Sequence, residues 1–244
     1  MQALRQNPTP NTPAFQARKI GTAITKINNI KNEIQLYKLD SSDIPFARKM
    51  YMNIDLEKLH PNLDSYKDFT NWNLLIKQAV DSVGSEKYTT ILAVQNKRPC
   101  GIMSIFQKAP KHSILDRIAT WPIKPDKKVE HAGKVLMHSL FRHAINKSNN
   151  WISLTPAGCK PRYKSCIEFY KKLGFDFVET PYNGLECRMG KSDFARRAAQ
   201  VENFFDFKEE INAQDVDLRK ILTLKFDDTI GEKCKAFLQK LRQN

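Results

Sequence analysis

Between residues 33 and 191 the apolar positions switch between a repeat of two and a repeat of 3.6, which predicts a mixed α/β domain. Ile34-Gln35-Leu36-Tyr37-Lys38-Leu39 alternates as a first strand. Asp40, Ser41 and Ser42 offer N-caps for a helix through Ala47 and Met50, and residues 66–83 predict a second helix ending near Gly84. Residues 90–95 and 101–106 are β-branched, apolar runs joined by Asn96-Lys97-Arg98-Pro99, the pattern of an antiparallel hairpin, and 113–123 follows as a fourth strand. A helix over 129–147 carries Leu136, Leu140 and Ala144 at i+4 spacing with Met137, Phe141 and Ile145 beside them, a stripe broad enough to pack on a sheet. Residues 151–155 predict a fifth strand, 163–173 a helix stopped by Gly174, and 175–180 with 185–189 a last hairpin.

The flanks read differently. Residues 1–32 are rich in Asn, Pro, Thr and Gln, hold no acidic residue and show no sustained period, so they predict a mobile basic arm. Residues 192–244 predict a helical C-terminal extension, with Leu218, Ile221, Leu222, Phe237, Leu238 and Leu241 as its apolar positions. The expected division is therefore an arm (1–32), a central α/β domain (33–191) and an extension (192–244).

Composition narrows the class. No window reaches the roughly 18 apolar residues of a membrane helix, and the N-terminus lacks the apolar core of a secretory signal, so a cytoplasmic protein without membrane contact is expected. The five cysteines form no C-x-x-C pair and have no histidine at metal-ligand spacing; reduced thiols and no metal site are expected. A formal charge of +14 attracts anions, whether nucleotide phosphates, acidic proteins or nucleic acid, and does not choose among them. The lysines are spread along the chain, without the aromatic–basic motifs of RNA-binding modules, so nucleic acid is a possible but disfavoured partner.

The chemistry concentrates where the fourth strand hands over to the following helix, in Pro125-Asp-Lys-Lys128-Val129-Glu-His131-Ala132-Gly133-Lys134. The first amides of a helix lack internal partners, the helix dipole is positive there, and a glycine allows a phosphate to come close. An ordinary strand-to-helix turn with solvated lysines is the plain alternative for such a stretch. In context it resembles the acetyl-CoA-binding loop of the GNAT superfamily of acyl-CoA N-acyltransferases, with the spacing from Pro125 to Gly133 matching. A second string, Cys166-Ile-Glu-Phe169-Tyr170-Lys-Lys-Leu173-Gly174-Phe175, resembles the superfamily's helix after strand five.

The resemblance implies a GNAT fold: a central, mostly antiparallel sheet of six to seven strands, with the fourth and fifth splayed apart and helices on both faces. It implies acetyl-CoA as cosubstrate, held by Lys128, Val129, His131, Ala132, Gly133 and Lys134, with the pantetheine arm on the strand edge at Trp121 and Ile123. It also implies Tyr170 as the acid that protonates the departing thiolate, the alternative being a buried aromatic that merely finds a hydrogen bond. Departures are His131 in place of the first glycine, Lys128 in place of Arg or Gln, and Tyr163 in place of Asn. The implied reaction is direct attack of a neutral primary amine on the thioester, and Asp116, the only acidic residue of the fourth strand, is the candidate base. The acceptor, an amine-bearing small molecule or protein, is not written in these motifs, nor is the oligomeric state. A competing reading is a non-catalytic module that holds nucleic acid, a ribosomal component or another protein through its basic surface.

Overall fold

The computed structural model describes residues 17–27, 30–54, 66–122, 129–156, 162–180, 184–211 and 215–222. Its strands are β1 (Ala17–Ile27), β2 (Ile30–Leu39), β3 (Tyr88–Gln95), β4 (Arg98–Ala109), β5 (His112–Thr120), β6 (Trp151–Leu154), β7 (Asp176–Thr180), β8 (Gly184–Gly190), β9 (Asp206–Glu209) and β10 (Asp215–Val216). The helices are α1 (Ile44–Asn53), α2 (Tyr66–Asp81), α3 (Ala132–Asn146), α4 (Arg162–Lys172), α5 (Lys191–Glu202) and α6 (Leu218–Ile221).

The ten strands among the described residues join one sheet in the order β10-β1-β2-β3-β4-β5-β6-β8-β7, with β9 also paired to β1. The β5–β6 pair is parallel, and the other described pairs are antiparallel. α3 supplies the crossover that a parallel pair needs. One face of the sheet buries Val135, Leu136, Leu140 and Phe141 of α3 together with Phe194, Ala198 and Val201 of α5. The other buries Phe46, Ala47 and Met50 of α1, Ile76, Ala79 and Val80 of α2, and Leu218 of α6.

The mixed α/β class and the splayed parallel pair are as expected, and the seven strands anticipated between residues 33 and 191 all form. Three more arise outside that span. The arm expected over 1–32 is corrected: Ala17–Ile27 is a strand with a full antiparallel partner in β2. The helical extension is corrected too, because residues 206–209 and 215–216 are strands that pair along the other edge of β1. The sheet thus runs through both expected boundaries. Residues 1–16 and 223–244 lie outside the described residues. Among the described residues no helix is long and apolar enough to cross a membrane.

Local chemistry explains several element ends. Asn96 and Lys97 take φ of 50° and 61°, the two left-handed residues of a tight hairpin turn, so Arg98 and Pro99, expected in the loop, belong to β4. Gly174 takes φ of 85° after α4, and the amide of Phe175 bonds back to the Tyr170 carbonyl at 3.1 Å. That closure seats the last turn of α4, and with it Tyr170, against the sheet.

Candidate active site

β5 has two unlike halves. From His112 to Leu115 it pairs with Trp151–Leu154 of β6, and beyond Leu115 it has no β6 partner. On its other side Ile105 of β4 opposes Leu115 and Ser104 opposes Arg117, which leaves Asp116 as an extra, bulged residue. A bulge reverses the in–out alternation of a strand. Leu115 accordingly packs with the α3 cluster, whereas Ala119 and Trp121 pack with the α1–α2 cluster on the opposite face.

The divergence opens a cavity of about 600 Å³ lined by β5 from Leu115 to Thr120, by residues 129–134 at the start of α3, and by Cys166, Phe169 and Tyr170 of α4. α2 closes one wall with Leu75 and braces the strand: the Trp72 indole donates to the Thr120 carbonyl at 3.2 Å, and the Arg117 guanidinium donates to Gln78. Arg117 also donates to the Asp116 carboxylate at 2.9 Å.

At the helix end the Ala132 amide makes a long turn bond to the Val129 carbonyl at 3.5 Å, and the helical ladder starts with the Val135 amide donating to the His131 carbonyl at 2.9 Å, so α3 begins beside the cavity. His131 is the N-cap and takes φ of 64°, a conformation that costs a non-glycine residue on the order of 1 kcal/mol. The implied glycine at this position would adopt it without strain. Gly133 faces open space, since a Cβ built there would meet only Phe169 Cζ at 3.9 Å. Its missing side chain serves no packing need of the protein itself and leaves room for a ligand.

Tyr170 is 8% exposed, and its ring lies edge-on to Phe169 and Phe175, 5.3 and 5.8 Å between centroids. Burial pushes its phenol above the ordinary value, with smaller contributions from Cys166 and Cys187, so the group stays protonated at neutral pH. Among the described residues its hydroxyl has no hydrogen-bond partner. Burial also pushes the Cys100 and Cys187 thiols up to about 12, whereas Cys166 lies one turn before Tyr170 on the cavity wall.

The structure therefore gathers Asp116, Val129, His131, Ala132, Gly133, Lys134 and Tyr170 around one cavity. Trp121 stands apart: its amide bonds to the Cys100 carbonyl at 2.9 Å and its ring is buried on the opposite face. Ile123 and Lys128 lie outside the described residues. Sequence reading missed Leu75, Arg117, Cys166 and Phe169 as wall residues. Phe169 and Cys166 were legible as the helical neighbours of Tyr170 at i−1 and i−4; Leu75 and Arg117 had no local signal.

No family model and no curated protein matches this chain. Among solved structures, the chain is similar to the PaiA N-acetyltransferase of Thermoplasma acidophilum in complex with coenzyme A, with 15% identity over 64% of this chain and 98% of that one and a TM-score of 0.44. It is also similar to an uncharacterised protein of Bacillus halodurans (13% identity, 76% and 98% covered, TM-score 0.46) and to the aminoglycoside 6'-N-acetyltransferase of Enterococcus faecium (12%, 64% and 95%, TM-score 0.42).

Proposed function

We propose that the protein is an acyl-CoA-dependent N-acyltransferase that moves an acetyl group from acetyl-CoA to a primary amine. One observation carries the reading: the half of β5 that lacks a β6 partner lines a cavity whose other walls are the start of α3 and Tyr170. The donor set fits a long anionic thioester. Helix-start amides with Lys134 beside them suit a diphosphate, and the space above Gly133 admits it. The strand edge without a β6 partner offers backbone groups, other than the Asp116 and Thr120 carbonyls that already accept from Arg117 and Trp72, to amides of an extended arm, in the manner of strand addition.

Acetyl-CoA supplies the activated acyl group and a thiolate leaving group. Tyr170, kept protonated by burial, donates its hydroxyl proton where that thiolate departs. Asp116, turned by the bulge onto the cavity wall and held by Arg117, accepts the proton of the incoming amine, directly or through water. Direct attack needs no acyl-enzyme. The acceptor is an amine-bearing small molecule or protein, the protein surface disfavours strongly cationic ones, and the setting is the cytoplasm.

The deciding experiment is thermal unfolding with acetyl-CoA, CoA or single-stranded RNA. Acetyl-CoA should raise the melting temperature saturably, equivalent to about 2.7 kcal/mol at a hundredfold excess over its Kd. RNA should act weakly and lose its effect as salt rises. A shift with RNA and none with acetyl-CoA would favour the non-catalytic binding module and end the transferase reading.

A further inference from the structure

The turn after α5 places an aromatic ring at the mouth of the α3 start. Phe204 is 45% exposed; the Lys134 ammonium sits 3.2 Å from its ring centre, and the His131 ring lies 5.4 Å away at 48°. Its neighbour Phe205 is buried in the α3–α5 core, so the backbone of this turn is anchored while Phe204 is left facing outward. α5 is itself held on α3 by His138 Nε2 and Glu202 Oε1 at 2.7 Å, which fixes where the turn begins. The ring is half-exposed, and what covers its face is a single lysine ammonium rather than the core, which leaves a surface on which a planar group can stack.

We infer that Phe204, flanked by His131, is the platform on which the purine base of the acyl donor stacks. The inference rests on the acyl-CoA reading above. In that donor the nucleoside is joined directly to the diphosphate, so a diphosphate at residues 129–134 brings the base into the neighbourhood of His131 and Lys134, the two residues that Phe204 touches. Tyr170, over nine-tenths buried with its hydroxyl on the same cavity, marks the other end of the same ligand. Lys134 moves from the ring face to the donor's phosphates, and the base replaces it. Stacking on an aromatic side chain tolerates any base and is sensitive to truncation of the ring.

The test is calorimetric titration of the full chain with CoA and with 4′-phosphopantetheine, which keeps the arm and one phosphate but lacks the nucleoside. Phe204→Ala should raise the Kd for CoA about tenfold, as base–aromatic stacking predicts. The Kd for 4′-phosphopantetheine should stay within twofold, and Phe204→Trp should bind CoA at least as well as the wild type. Equal losses for both ligands in Phe204→Ala would mean that the ring only shapes α3, and unchanged CoA affinity would remove the platform; either result overturns the inference and leaves the transferase reading standing. A wild-type protein that binds neither ligand overturns both.

Discussion

The two halves of β5 are nine residues of one strand under opposite regimes. At the His112 end the neighbouring strand is present and the polar groups close on one another: His112 Nε2 meets Ser153 Oγ at 2.8 Å, Asn149 Nδ2 donates to Ser113 Oγ at 2.6 Å, and Ser113 Oγ donates to Gln107 Oε1 at 3.1 Å. At the Thr120 end β6 has turned away, a bulge at Asp116 has rotated the side chains, and α2 braces the strand in place of a partner. The contrast teaches that opening a strand edge does not need special residues. It needs a strand whose ladder is withdrawn on one side while the fold still holds it rigid from the other.

Substitutions at each end should separate accordingly. The largest effect is expected from Tyr170→Phe, which removes one proton donor from the open end: turnover on the best acceptor of an amine panel should fall about 100-fold or more, with KM for acetyl-CoA within twofold. An unaltered kcat removes Tyr170 from the chemistry. Next, Gly133→Glu puts a carboxylate where an anion should sit. A glutamate in the first turn suits the helix dipole, so the melting temperature should hold while acetyl-CoA affinity, read by calorimetry, drops about 100-fold. Unchanged affinity would detach the helix start from the ligand.

At the closed end the readout inverts. Asn149→Ala leaves the buried Ser113 hydroxyl without its donor and should cost about 1–3 kcal/mol in denaturant unfolding, with acetyl-CoA affinity untouched. Should affinity fall as well, the two halves are energetically coupled and the contrast is weaker than the geometry suggests. The smallest effect is the pH dependence of His112. Burial, then Lys108 and Arg188, lower its pKa, against an opposing pull from Glu186. The folded state therefore favours the neutral ring: stability is full above the ordinary value of 6.5 and is lost as pH falls from there toward the lowered folded value, because the unfolded chain binds the proton first. His112→Gln should flatten part of the decline in melting temperature between about pH 7 and pH 5. His138 and His143, also lowered by burial, should add to the decline, and Asp43, raised by burial to about 6, should oppose it because its folded carboxyl binds the proton first.

Much of the scaffold was legible because its signals are local. The α3 stripe of Leu136, Leu140 and Ala144 depends on helical spacing alone, and all three are buried. Gly174 ends α4 in the left-handed conformation that its position implied. Of the cavity wall, the string from Val129 to Lys134 and Tyr170 could be picked out because each lies at a helix start or within a contiguous helical string. β1 was misread because its alternation is weak and basic, and it becomes a strand only through β2, β9 and β10, the last two almost two hundred residues away.

The amino-acid order by itself determined which segments are helices and strands in the central domain and which residues are candidates for anion binding and proton donation, since both depend on near neighbours. Tertiary structure alone decided that Asp116 is bulged, that β6 pairs with four residues of β5 and then leaves, and that Phe204 arrives beside His131 and Lys134. Register and long-range approach are set by which faces can be buried together, and that choice belongs to the whole chain rather than to any stretch of it.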